Sequence, residues 1–266
     1  MENIAYTSPP RRKMEWKRAW GALRNLIADS ERTDQVFEIV RALSGNSWER
    51  AFERFCAHPD GRRLLQERPS LLAALADREH LRKLPQGSFG RAYAEFMDSA
   101  QLDAKGLVDA EHMSDQNWEK ETVDPDREYF GDRLRDMHDL WHVLTGYGRD
   151  EAGEAANLAF TLGQIPQPGV ALIVLAGAIL GPKDISFMWP RYLFSAWRRG
   201  RQAALLSAAP YERLLSEPLE EVRQLLRIQP AGEVHPAGII VGNRVLNRDT
   251  GGEASAEAWE MRRANS

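Results

Sequence analysis

Apolar residues recur along most of the chain at three- and four-residue spacing, the period of a helix with one buried face. Val36, Ile39, Val40 and Leu43 share one such face, and Gly45 is placed to end it. Trp48, Phe52 and Phe55 form the next, with Ser47 set to cap it. Leu64 and Leu65, then Leu71, Leu72, Leu75 and Leu81, give two more, punctuated by Pro59 and Pro69. A turn at Gly87–Gly90 opens a helix through Tyr93, Phe96 and Met97. Residues 98–128 are polar and poorly patterned, which predicts a long connection. Helical spacing resumes near Tyr129 and runs through Leu134 and Met137 to Leu144. Leu158 and Phe160 continue a following helix, which breaks between Pro166 and Gly169.

Val170–Leu180 then holds eleven residues without a charge. It is too short to span a bilayer and reads as a buried helix. Phe187, Met188, Trp189, Tyr192, Phe194 and Trp197 follow, interleaved with Arg191, Arg198, Arg199 and Arg201. That pattern suits an interfacial helix and a half-buried one equally. Tyr211–Ile228 predicts a last amphipathic helix through Leu214, Leu215, Leu219, Val222, Leu225 and Leu226. Near the start, Trp16, Trp20, Leu23 and Ile27 make a helical stripe, read first as ordinary packing. No internal repeats occur, and no hairpin dipeptides stand between alternating runs. The fold class is all-α: a single helical domain.

Composition refines this picture only at its edges. At 266 residues the chain can bury one sizeable core. It divides into a tail with an amphipathic helix (1–30), the helical domain (31–229) and a segment expected to be a flexible tail (230–266), where Gly, Ala and polar residues take over. A net charge of −4 gives no reason to expect nucleic acid. Cys56 is the one cysteine, so no disulfide forms within the chain, which suits a reducing cytosol. Pro9-Pro10-Arg11-Arg12-Lys13 lacks an apolar stretch beside it, so the chain shows no evident secretory signal.

The candidate chemistry lies at His138-Asp139-Leu140-Trp141-His142, followed after eleven residues by Glu154. On a helix, His138 and His142 project one above the other, with Asp139 about 60° from His142. Glu154 is too far along to join them on one straight helix. Gly146-Tyr147-Gly148 supplies a turn, and Asp150 can cap a second helix. In the resulting antiparallel hairpin, Glu154 comes level with the histidines. Two imidazoles and two carboxylates suit zinc or another divalent transition metal. Asn157, one turn beyond Glu154, is a candidate partner for a ligand. The bland reading is a hydrogen-bonded core pair beside a solvated carboxylate. His58 and His80 have no partners at ligand spacing, and His235 is unassigned.

The string from His138 to Glu154 resembles the HDxxH-x11-E motif of the coenzyme Q biosynthesis protein 4 family. Leu84-Pro85-Gln86-Gly87-Ser88-Phe89-Gly90-Arg91-Ala92-Tyr93 is similar to the family's LPxGSxGRxY segment. Leu180-Gly181-Pro182, Tyr211-Glu212-Arg213, and Leu219, Arg223 and Leu226 resemble its helical end. The likeness covers roughly Val36 to Ile228.

The resemblance implies a role in ubiquinone biosynthesis: removal of the C1 carboxylate, with hydroxylation at that carbon, from a polyprenylated hydroxybenzoate. It makes His138, Asp139, His142 and Glu154 the ligands of a divalent metal, zinc first, with iron or manganese required if the metal activates oxygen. It also implies a cytoplasmic place on the inner face of a membrane, with other ubiquinone biosynthesis proteins and a second copy of the chain as partners. Val170–Leu180 would then be the wall for a prenyl chain; the counter-charge of the carboxylate stays open, with Lys183 and Arg135 the nearest candidates along the chain. The rival from another class is a non-catalytic scaffold that holds lipid precursors around a structural metal. A phosphohydrolase built on His112 and the His138-Asp139 pair ranks below both, because no later Asp faces that pair.

Overall fold

The computed structural model describes residues 13–29, 32–99, 124–180, 189–234, 239–241, 244–247 and 252–255. His112, Lys183, His235 and most of the 98–128 connection lie outside them. The helices are α1 (Trp16–Ala28), α2 (Thr33–Ala42), α3 (Ser47–Ala57), α4 (Pro59–Glu67), α5 (Leu71–Ala76), α6 (Arg78–Lys83) and α7 (Phe89–Ser99). They continue with α8 (Pro125–Asp136), α9 (His138–Thr145), α10 (Glu151–Gln164), α11 (Pro168–Leu180) and α12 (Trp189–Gln202). A 3-10 turn at Leu206–Ala208 leads to α13 (Tyr211–Leu214), α14 (Leu219–Leu226) and α15 (Ala231–Val234). The domain is all-helical, as the periodicity predicts.

The largest core joins Leu75, Leu81, Phe89, Tyr93 and Met97 to Leu140, Trp141, Leu144, Phe160, Tyr211 and Val222. Its closest helix pair is α10 against α12. A Cβ on Gly200 would sit 2.1 Å from the Phe160 carbonyl oxygen, and one on Gly163 would sit 2.3 Å from that of Trp197. Only glycine lets these two backbones touch.

Four expectations are corrected. The Trp16–Ile27 stripe packs only through Leu23: Trp16, Trp20 and Ile27 are 59%, 60% and 54% exposed. Instead Ala19, Ala22 and Leu23 meet Ile39, Leu43 and Ile173, because small residues let α1 lie close on α2. The Val170–Leu180 segment is only half-buried. Val170 and Ile173 face inward, while Leu175 and Ile179 are 56% and 72% exposed. The helix over 211–228 is broken, because Pro218 has no N–H to continue it. That break docks on the Gly87 turn through Phe89 N–H to Glu217 C=O (2.8 Å), Gly90 N–H to Leu215 C=O (2.7 Å) and Leu219 N–H to Gly87 C=O (2.9 Å). Finally, the helix entering the metal motif bends at Met137 and becomes α8 and α9.

The segment after Pro230, expected to carry little fixed structure, holds α15 and an antiparallel meander. Strand β1 (Ile239–Val241) pairs with β2 (Arg244–Asn247), which pairs with β3 (Gly252–Ser255). Ala231 is fully buried, and a Cβ on Gly146 would lie 3.3 Å from its backbone nitrogen. The segment through α15 therefore closes over the turn of the metal motif. Removing residues 235–266 is expected to leave the urea midpoint nearly unchanged. Removing 230–266 should lower it clearly, by uncovering that turn. Equal midpoints for both truncations would contradict the packing.

Candidate metal centre

Two short helices and a glycine turn build the centre. Helix α9 ends at Gly146, whose φ of +70° is the left-handed conformation that closes a helix most cheaply as glycine. Arg223 of α14 reaches the freed carbonyls, donating from Nε to Leu144 (3.0 Å) and from Nη2 to Val143 (2.9 Å). Asp150 then caps α10 as expected, its side chain accepting from the N–H groups of Ala152 (3.1 Å) and Gly153 (3.0 Å). The loop is held tight at Gly153, where a Cβ would lie 1.9 Å from the Gly148 oxygen. Across from Arg223, Trp141 leaves the ligand face and donates from Nε1 to the Tyr211 hydroxyl (3.0 Å), as core.

This brings His138, His142 and Glu154 together, with one ligand atom of each within 4.8 Å of the others. Oε2 of Glu154 stands 3.3 Å from His142 Nε2 and 3.9 Å from His138 Nε2. The structure holds Asp139 apart from that group: its Oδ1 lies 3.2 Å from His138 Nδ1. It orients the ring, as carboxylates beside metal-bound histidines do. His142 is fixed in the same way by Tyr147, whose carbonyl lies 3.1 Å from Nδ1. Each Nδ1 thus lies against an oxygen, which leaves each Nε2 directed at Glu154; the tautomer protonated on Nδ1 is the one whose Nε2 a metal would take. Phe96 stacks on the His142 ring at 5.7 Å, completing its enclosure.

Charge is concentrated here. Burial alone would lower the His138 pKa, but the hydrogen bond to Asp139 and the nearby charges of Asp139 and Glu154 raise it. Burial opposes ionisation of Asp139 too, yet its bond to His138 holds it below the usual carboxylate range. Glu154 is likewise held low, against burial, by the two histidines and Arg149. Arg149 Nε lies 3.8 Å from Glu154 Oε1.

One buried atom decides whether a metal fits. Nε2 of His142 is sealed from solvent and makes no hydrogen bond, despite its nearness to Glu154. A buried nitrogen lone pair facing a second imidazole and a carboxylate is a donor set for a divalent cation. His138 and Glu154 remain partly exposed, at 28% and 35% of their side chains, which leaves one side open to a ligand.

Sequence reasoning missed Tyr147, Phe96 and Arg223 as supports. Tyr147 was signalled by its place between two glycines. Phe96 and Arg223 come from distant helices and carried no local signal. Arg135, a suggested counter-charge, is engaged with Asp132 and Asp136 at 3.0 and 2.8 Å. Asn157 is fully buried and bonds to none of the ligands.

The profile of coenzyme Q (ubiquinone) biosynthesis protein Coq4 matches residues 14–232. The mitochondrial ubiquinone biosynthesis protein COQ4 homolog of Bos taurus is 29% identical over 215 residues, covering 79% of this chain and 76% of its own. That of Nematostella vectensis is 30% identical over 177 residues, covering 65% and 81%. A crystal structure of a Nostoc punctiforme protein shares the fold with a TM-score of 0.58 at 22% identity, over 80% of this chain and 98% of that one. With the match spanning the helical domain and the hairpin from His138 to Glu154, the chain belongs to the Coq4 family of ubiquinone biosynthesis proteins.

Proposed function

We propose that the chain is a metal-dependent enzyme of ubiquinone biosynthesis that replaces the C1 carboxylate of a polyprenylated hydroxybenzoate by hydroxyl. The observation that carries this is the solvent-sealed Nε2 of His142, gathered with His138 and Glu154 into one cluster of ligand atoms. His138, His142 and Glu154 would hold the ion, with Asp139 orienting His138 or turning inward as a fourth ligand. The bound ion would supply a Lewis acid for the oxygen substituents of the ring. Zinc suits the donors but has no redox chemistry. Exchanging carboxylate for hydroxyl is a net oxidation, so turnover needs iron or manganese with dioxygen, or an external oxidant.

The chain's own residues do the rest. Asp139 and Tyr147 keep both imidazoles in one tautomer, and Phe96 keeps water from the buried side. The half-exposed apolar face of α11, with Leu175 and Ile179, supports contact with a prenyl tail or a membrane surface. No helix among the described residues is long and apolar enough to cross a membrane.

The ligands must shed protons before a metal binds. Because His138 holds its proton to higher pH than an ordinary imidazole, competition persists to higher pH too. Zinc affinity of the metal-free chain should therefore rise steadily from pH 5.5 to pH 8, by roughly tenfold or more per ligand proton displaced. A flat profile in a competition titration would contradict the assignment. Turnover is tested with purified chain, defined metal and a short-chain prenyl hydroxybenzoate. Product lighter by the carboxylate and heavier by one oxygen supports the enzyme. Unchanged mass under every metal and oxidant leaves a scaffold.

A further inference from the structure

Among the described residues three arginines are buried: Arg127, Arg133 and Arg199. Arg127 is ion-paired with Glu49 and Asp124, and Arg133 with Glu212. Arg199 has no carboxylate partner among the described residues. Its Nη1 donates to the Gln229 carbonyl (2.6 Å), while Nε and Nη2 are buried and make no hydrogen bond. Those two atoms form one edge of the guanidinium, the edge that grips a carboxylate with two parallel bonds. A buried charge without a counter-ion among the described residues is costly, which points to a bound partner.

The surroundings say what kind of partner. The guanidinium lies 4.7 Å from the ring centre of Tyr147, the residue whose carbonyl orients His142. Tyr147 packs edge-on to Tyr192 at 5.7 Å, and Trp189 stacks on Tyr192 at the same distance. Burial pushes the Tyr192 hydroxyl well above the usual phenol range, so it stays neutral and offers Arg199 no charge. A second unsatisfied group stands on the neighbouring helix. Asn157 is fully buried with both amide atoms unpaired, one turn before Phe160, whose carbonyl meets Gly200 next to Arg199.

We propose that the Nε/Nη2 edge of Arg199, with Asn157 and the Tyr147–Tyr192 rings, is a binding subsite for the carboxylate of an aromatic acid. It deepens the functional reading above and rests on it for the substrate class. In that arrangement Arg199 takes the acid, and the metal centre is left for the phenolic oxygens.

The test compares 4-hydroxybenzoate with its neutral analogue, 4-hydroxybenzyl alcohol, binding to the full-length chain by calorimetry and tryptophan fluorescence. Wild type should favour the acid by at least tenfold. Arg199→Gln should erase that preference while still binding the alcohol. Arg199→Lys keeps the charge without the two-donor edge and should lose most of it; this variant also serves if Arg199→Gln does not fold. His142→Ala separates this proposal from the metal reading. If that variant loses metal but keeps the acid preference, the subsite stands. The proposal is overturned if wild type shows no acid preference or no binding. It is also overturned if the preference survives in both Arg199 variants, or disappears only with His142, which would put the carboxylate on the metal.

Discussion

His142→Ala is expected to yield a folded chain carrying far less than one metal ion per polypeptide. The side chain contributes a fully buried Nε2, and nothing else within the hairpin can take its place opposite Glu154. Alanine also removes the bond to the Tyr147 carbonyl and the stack against Phe96, at a stability cost of about 1–3 kcal/mol. Loss of a direct ligand should exceed the effect of losing an orienting partner. Asp139→Asn, which in the orienting role weakens the hold on His138, should cost about 10–100-fold in metal affinity. Elemental analysis of chains purified without chelator reads both. Equal metal content in wild type and His142→Ala would remove the centre from the account.

Glu212→Ala is expected to be the most destabilising single change, lowering stability by about 3–5 kcal/mol. Arg133 is 2% exposed, and Nη1 and Nη2 both bond to Glu212, while Nη2 also donates to Ala209 C=O (2.7 Å). Alanine would strand that charge in the core. The pair also fixes α8, which leads into the metal helix, against α13. There Tyr211 accepts from Trp141 and lies under the Arg133 guanidinium at 5.8 Å. The urea midpoint should fall sharply, and Glu212→Gln, which keeps one acceptor, should recover part of it. A midpoint within a few tenths of a molar of wild type would show that water reaches Arg133 after all.

The histidine spacing, the glycine turn and the Asp150 cap were readable in order along the chain because each is a local event. So was the helical class, since a 3.6-residue apolar period has few other uses. What could not be read depended on which face a neighbour would cover. Trp16 and Trp20 share a stripe with Leu23, yet Ala19 and Ala22 make the closer contact and turn the tryptophans outward. The uniformly apolar α11 has no polar face to show which side meets the core. Pro218 was a signal for the break in the last helix that the apolar period overrode, and the docking of that break on the Gly87 turn joins residues more than a hundred positions apart. The Arg199 edge was invisible for the same reason: an arginine in an arginine-rich stretch gives no sign that, among the described residues, it is the buried one without a carboxylate.

The most direct measurement is a cobalt titration of the metal-free, full-length chain, followed in the visible spectrum. The account predicts saturation at one equivalent with bands of nitrogen and oxygen ligands, displacement by zinc, and no saturable signal in His142→Ala. A wild-type chain that shows no saturable band, or one that His142→Ala leaves unchanged, would contradict it.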